Sequence, residues 1–162
     1  MNKDILDVCC GGKMFYPDKK ESRVLFCDIR QLPRRKMSNG GHFEVAPDML
    51  ANFTALPFED NKFSLVIFDP PHLFCGTKSF MCTKYGTLAH FGKWKDDLTK
   101  GFAECLRVLR PAGTLVFKWC DSDIPLKKIL ELTPAKPVIT HTAKSNSGKA
   151  KTYFCVFFKE SL

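Results

Sequence analysis

The sequence predicts an α/β fold built on a mostly parallel sheet, and three observations carry that prediction. Six short apolar runs recur along the chain, bounded by turn residues. Their hydrophobicity is near-continuous instead of alternating, as in strands covered on both faces. A helical period separates two of the later runs, so strands and helices alternate. With 162 residues, 44% hydrophobic and 26% charged, the composition is that of one globular domain with a sizeable core, and residues 1–162 are read as a single domain.

The first run, residues 4–9, is a strand that opens onto Gly11-Gly12. Only about ten residues separate Gly12 from the second run, 23–27, too few for a full crossover helix. The third run, 63–68, passes directly into Asp69-Pro70-Pro71-His72. Residues 74–95 fit neither period, mix glycine, lysine and aromatic residues, and are long for a connection, which predicts an active-site loop. Leu98, Phe102, Cys105, Leu106 and Leu109 then share one helical face, and Pro111 and Gly113 are expected to stop that helix before the run at 114–119. A second short helix is expected to open near Asp123 with Pro125 in its first turn, to bury Leu126, Ile129 and Leu130, and to end before Pro134. Runs at 137–140 and 152–158 complete the sheet. No repeat or low-complexity tract marks a second domain.

The formal net charge is +8, so the surface attracts anions before any specific contact forms, and nucleic acid is an expected partner. A merely basic surface is the plainer alternative. Of eight cysteines, Cys9, Cys10, Cys27, Cys105, Cys120 and Cys155 lie in apolar runs as small core residues. No C-x-x-C pair occurs, and Cys75, Cys82 and His90 are spaced for no common zinc pattern, so no metal is expected. No apolar stretch approaches the ~18 residues of a membrane span or the pattern of a signal peptide, which leads to an expectation of no membrane and a reducing cytoplasm.

Glycines after the first strand let a ligand approach the backbone. Asp28, at the end of the second strand and 21 residues beyond Asp7, is placed to accept hydrogen bonds from a ribose diol. A simple turn, with Asp28 capping or pairing with Arg30, is the structural alternative. In an open α/β sheet the carboxyl ends of the strands line the ligand crevice, so Asp69-Pro70-Pro71-His72 belongs beside the same pocket. Its two prolines stiffen the loop and hold the Asp69 carboxylate and the Pro70 carbonyl as paired acceptors, which suits an amino group with two N–H donors.

These segments together carry a family resemblance. Asp7-Val8-Cys9-Cys10-Gly11, Asp28, Asn52-Phe53-Thr54-Ala55-Leu56-Pro57-Phe58, Asp69-Pro70-Pro71-His72 and Leu109-Arg110-Pro111-Ala112-Gly113-Thr114-Leu115 resemble successive motifs of class I S-adenosylmethionine-dependent methyltransferases. The tetrapeptide is similar to the (D/N)PP(Y/F/W/H) signature of amino-group methyltransferases, and the Cys-Cys-Gly run resembles that of small stand-alone enzymes of bacterial and phage genomes. The likeness spans residues 4–159. Three departures stand out: Cys9-x-Gly11-x-Lys13 replaces G-x-G-x-G, Asn52 replaces the acid near the adenine amino group, and His72 replaces the commoner tyrosine or phenylalanine.

The resemblance implies a single-domain Rossmann-like methyltransferase fold, mostly parallel, with helices on both faces and an antiparallel last strand. It implies S-adenosyl-L-methionine as cofactor, held by Asp7, Cys9, Cys10, Gly11, Asp28, Ile29, Asn52, Phe53 and Asp69. Catalysis falls to Asp69, Pro70, Pro71 and His72, with His72 stacking on the acceptor. The acceptor it implies is an exocyclic amino group of a base in DNA or RNA, adenine N6 or cytosine N4. Phe74, Lys78, Lys84, Lys93 and Lys144 are expected to meet that substrate, with Lys95, Lys149 and Lys151 completing a basic rim. The other readings are a protein glutamine or small-molecule amine as acceptor, a cofactor-binding module without catalysis, and a nicotinamide oxidoreductase. The last lacks a fuller G-x-G-x-x-G.

Overall fold

The computed structural model describes residues 3–37, 40–74, 80–88, 93–144 and 150–160. In chain order the strands are β1 (Ile5–Asp7), β2 (Val24–Asp28), β3 (Leu32–Lys36), β4 (His42–Val45), β5 (Met49–Leu50), β6 (Phe63–Phe68), β7 (Leu109–Cys120), β8 (Ile139–Lys144) and β9 (Lys151–Phe158); the helices are α1 (Phe80–Tyr85), α2 (Trp94–Val108) and α3 (Leu126–Leu130). Seven strands make one sheet in the order β5-β2-β1-β6-β7-β9-β8, and β3 pairs with β4 apart from it. The pairs β5–β2, β2–β1, β1–β6 and β6–β7 are parallel, and β9 runs antiparallel to both of its neighbours. The α/β class, the mostly parallel sheet and the antiparallel last strand therefore hold.

The strand order reverses between β1 and β6. Register brings Leu6 beside Leu25 and Val66, and Asp7 beside Phe26 and Ile67, so the carboxyl ends of β2, β1 and β6 finish together. That is the topological switch point, where open α/β sheets bind ligands.

One face of the sheet holds the main core. Helix α2 buries Leu98, Gly101, Phe102, Cys105 and Val108 against strand residues that include Val66, Phe68, Leu115, Phe117 and Phe157. Phe102 meets Phe68 edge-on at 5.4 Å and Phe117 at 4.9 Å, the geometry that aromatic quadrupoles favour. The buried Trp119 indole N–H donates to the Ile124 carbonyl at 2.8 Å, which satisfies its one polar atom.

Helix α2 ends differently from the expectation. It stops at Val108, where Leu109 turns to extended backbone (φ −75°, ψ 131°) and begins β7 at once. Pro111 and Gly113 therefore lie inside β7, in the irregular stretch between the Phe63–Leu109 and Leu65–Thr114 pairs. A proline is tolerated there because a bulge needs no ladder donor. The helix end is capped by Lys159, whose ammonium donates to the carbonyls of Leu106 at 2.7 Å and Leu109 at 2.6 Å. A cation at this position also complements the helix dipole.

The other face is more lightly built. The β1-to-β2 crossover runs in turns, with Tyr16 edge-on to Phe26 at 4.8 Å over a small cluster of Cys10, Val24 and Phe26. The β2-to-β5 crossover carries the β3–β4 hairpin in place of a helix. All the helices among the described residues thus follow β6, and these two earlier crossovers are made of turns and a hairpin. The stretch from 74 to 95 is also less irregular than predicted, because it contains α1 and the start of α2. Six residues are too few to show a helical period in sequence.

Candidate functional site

The carboxyl ends of β1, β2 and β6 open into a cavity of about 290 Å³. Gly11, at φ +48°, turns the chain after β1, a conformation that favours glycine. Its N–H then donates to Asp28 Oδ2 at 2.9 Å. Asp28 Oδ1 accepts the Arg30 backbone N–H at 2.9 Å and Arg30 Nε at 3.1 Å. Arg30 Nη1 reaches the Thr83 carbonyl at 3.2 Å and so ties the end of β2 to α1. The Arg30 Nη2–Asp28 Oδ2 contact, at 3.4 Å, is long. Oδ2 is thus the oxygen with capacity for one further donor. Both alternatives for Asp28, ligand acceptor and partner of Arg30, meet in one carboxylate.

Asp7 is buried and accepts the Tyr16 hydroxyl at 2.9 Å and the Cys9 N–H at 3.2 Å. Burial pushes its carboxyl up to about 7 in spite of these two donors, and the charges of Asp69 and Asp28 push the same way. Among the described residues its hydrogen-bond donors are neutral, whereas Asp28 and Asp69 each have a cationic partner.

Asp69 follows β6 immediately. Lys118, from the neighbouring strand β7, places Nζ 2.9 Å from Asp69 Oδ2. Burial raises the Asp69 carboxyl above the usual carboxylate range, and the Lys118 charge and hydrogen bond oppose this less strongly. Lys118 also lies over the Phe15 ring, 5.1 Å from its centre. The sequence reading did not single it out. Its signal was a lysine in β7 opposite in phase to buried Leu115, Phe117 and Trp119.

His72 lines the cavity but is only 9% exposed, and its ring is flanked by Tyr85 and Trp119, each 6.1 Å away. Burial holds its pKa down to about 4, the Lys118 charge adds to this, and a hydrogen bond to the Pro70 carbonyl opposes it less strongly. The imidazole is neutral at pH 7 and braces the loop. The Pro70 carbonyl keeps a second lone pair for another donor.

The cavity gathers most of the other predicted positions: Cys9, Cys10, Ile29, Phe53, Pro70, Pro71 and Lys84 all line it. Asn52 does not; its carboxamide oxygen accepts the Thr54 N–H at 3.0 Å in a local turn. Phe74 packs against Trp94 with ring centres 6.2 Å apart, outside the cavity. Lys93, Lys95 and Lys151 are exposed away from it. Lys78, Lys149 and the Lys144 side chain lie outside the described residues. Lys84 is thus the one member of the expected rim that lines the cavity among the described residues.

Sequence reasoning also missed Phe43, Met14, Phe15 and Tyr85, which are brought in from β4, the first crossover and α1. Cys82, also on the cavity wall, is disulfide-bonded, which differs from the expectation of a fully reduced chain. Among the described residues no cluster of three His, Cys, Asp or Glu side chains is arranged to hold a metal, and no helix is long and apolar enough to cross a membrane.

No family model and no curated protein matches this chain. Solved structures do. An S-adenosylmethionine-dependent methyltransferase from Methanosarcina mazei is similar at a TM-score of 0.55 and 12% identity, covering 100% of this chain and 95% of that one. The N-methyltransferase NodS from Bradyrhizobium japonicum is similar at 0.57 and 10%, covering 97% and 85%. The [4+2]-cyclase SpnF is similar at 0.60 and 11%, covering 99% and 76%. The chain has the Rossmann-like fold of class I S-adenosylmethionine-dependent methyltransferases. A fold that also serves a cyclase leaves the reaction to be argued from the site.

Proposed function

We propose that the protein is an S-adenosylmethionine-dependent methyltransferase whose acceptor is an amino nitrogen, in the first place the exocyclic amino group of a nucleic-acid base. The observation that carries this reading is the Asp69 carboxylate at the strand-order reversal. Rigid prolines fix it, Lys118 lies 2.9 Å away, and it opens on the same cavity as Asp7 and Asp28.

The cavity fits the cofactor in the chemistry of its walls. Gly11 and Gly12 allow close backbone approach at the end of β1, Asp28 offers an oxygen to a hydroxyl, and Phe53 and Ile29 supply apolar surface for a flat ring. Asp7 is a buried carboxylate with neutral donors only, which suits a cationic ligand.

The bound sulfonium supplies an activated methyl group, and its transfer is a displacement that needs alignment and no metal. The chain's own residues do the rest. Asp69 and the Pro70 carbonyl accept the two N–H groups of the amine, favouring a pyramidal nitrogen whose lone pair faces the methyl carbon. With the cofactor bound, the amine would take its methyl group as the C–S bond broke, and Asp69 would receive the proton released from nitrogen. Lys118 favours the ionised form of Asp69 against the effect of burial, and neutral His72 holds Pro70 in place. A base in a duplex must leave the stack at a cost of a few kcal/mol, so single strands and loops are the easier substrates.

The test is mass spectrometry of nucleosides from DNA and RNA incubated with protein and isotopically labelled cofactor. Label on adenine N6 or cytosine N4, absent with Asp69→Ala, is the expected result. Label on a protein glutamine or a small amine would move the acceptor, and none on any acceptor, with the cofactor still bound, would leave a binding module.

A further inference from the structure

We propose that the β3–β4 hairpin is the phosphate-binding ridge for single-stranded nucleic acid, a role that the sequence pattern gave to the lysines of the 74–95 segment and the C-terminal part. This deepens the nucleobase reading and rests on it. The hairpin stands outside the main sheet, in the crossover between β2 and β5. Its first strand reads Leu32-Pro33-Arg34-Arg35-Lys36, and the last four residues are all exposed. None of Arg34, Arg35 and Lys36 takes part in an ion pair among the described residues, where Arg30, Arg107, Arg110 and Lys118 each do. Three neighbouring cations without counter-ions are a device for meeting phosphate.

Register ties that ridge to the site. Arg35 is the direct cross-strand partner of Phe43, and directly opposed residues of an antiparallel pair project to the same face. Phe43 lines the cavity and comes so close to Gly12 that a Cβ there would lie 3.0 Å from its ring. Arg35 is therefore one strand-width from the cavity wall, on the face that carries Phe43. Lys36 is paired with exposed His42 and projects from the opposite face. A base entering the cavity leaves its flanking phosphates at the mouth, within reach of a two-faced cationic ribbon. Among the described lysines of the expected rim, Lys95 covers Trp94 and Lys84 covers Tyr85.

The experiment is fluorescence anisotropy of a labelled mixed-sequence single-stranded oligonucleotide, as DNA and as RNA, between about 50 and 300 mM salt. Wild type is compared with Arg34→Gln/Arg35→Gln/Lys36→Gln and with the control Lys93→Gln/Lys95→Gln, with cofactor affinity measured on each by calorimetry. The ridge variant is expected to lose at least about tenfold in affinity at low salt and to flatten the log–log salt slope by about 2. Its cofactor affinity should stay within a few-fold, and the control should change little. The single variant Arg35→Gln, expected to reduce the slope by less than one unit, keeps the test open if the triple variant folds poorly. An unchanged slope in the ridge variant overturns the proposal while leaving the nucleobase reading in place. So does a loss found only in the control. No oligonucleotide binding by wild type overturns both, and equal binding of poly-glutamate assigns the ridge to acidic polymers in general. Slope loss in a protein that does not bind the cofactor would uphold the ridge and remove the methyltransferase reading.

Discussion

At the scale of single residues, the site is an arrangement of three carboxylates with unequal partners. Asp28 has Arg30, Asp69 has Lys118, and Asp7 has only neutral donors among the described residues. Asp69→Asn keeps an acceptor oxygen but loses the anion that takes the proton. Turnover should fall by at least about 100-fold in a methyl-transfer assay, with cofactor affinity within a few-fold. Lys118→Met should act through Asp69. Without the ammonium nothing opposes burial, so the carboxyl titrates higher and the acid limb of the pH–rate profile moves up in pH, while Lys118→Arg should restore much of it. Asp7 permits a stability test with a defined sign. Its folded pKa is about 7 against an unfolded 3.8, so the folded state holds the extra proton in that window, and stability is lost as pH rises through it. The loss is at most about 1.4 kcal/mol per pH unit. Asp7→Asn should remove this slope in urea melts between pH 5 and 8, and an identical slope in the variant would show that Asp7 is not its source. Asp69, with its prolines, was legible in sequence because adjacent residues define it. Lys118 was not, because its role depends on which strand ends come together, whereas Arg30, two residues from Asp28, was already a candidate partner.

At the scale of elements, legibility follows length and period. The apolar runs that became β1, β2, β6 and β9 and the long face of α2 were readable because each repeats its period. β5 has two residues, and β3 is one leucine followed by proline and three cations, so neither carries a period. How closely α2 packs was also invisible. Gly101 brings the helix so near the sheet that a Cβ would lie 2.7 Å from Phe53 and 2.8 Å from Phe68. Gly101→Ala gains about 1 kcal/mol of helix propensity but overpacks the core at a cost of about 1–3 kcal/mol. The balance is a net cost of up to about 2 kcal/mol, so the melting temperature should fall by at most several degrees. Phe53 is the less buried of the two rings, and it lines the cavity. The variant, still folded, should therefore bind cofactor several-fold more weakly by calorimetry. Full affinity would show that Phe53 is not part of the binding surface.

At the scale of the molecule, fold and charge together predict how ligand binding and pH couple to stability. The strand order brings Asp7, Asp28 and Asp69 to one crevice, and Asp7 is the acid whose donors are neutral. A cation bound beside them becomes the counter-ion that Asp7 lacks, and it favours the ionised carboxylate. S-adenosylmethionine at about 100 times its dissociation constant should stabilise the fold by about 2.7 kcal/mol. For a chain of this length that corresponds to a rise in Tm of roughly 5–10 °C. The rise should grow between pH 6 and 8, because Asp7 must lose its proton to act as counter-ion, and the cost of that ionisation falls as pH passes about 7. S-adenosylhomocysteine lacks the sulfonium charge, so its stabilisation should stay flat across the same range. NAD should give little shift at any pH, since the crevice offers no fuller glycine loop for a pyrophosphate. Thermal-shift curves with the three ligands at pH 6, 7 and 8 test the coupling. Equal shifts from NAD would sink the cofactor assignment. A pH-independent rise with S-adenosylmethionine would keep the cofactor but show that its charge does not act through Asp7.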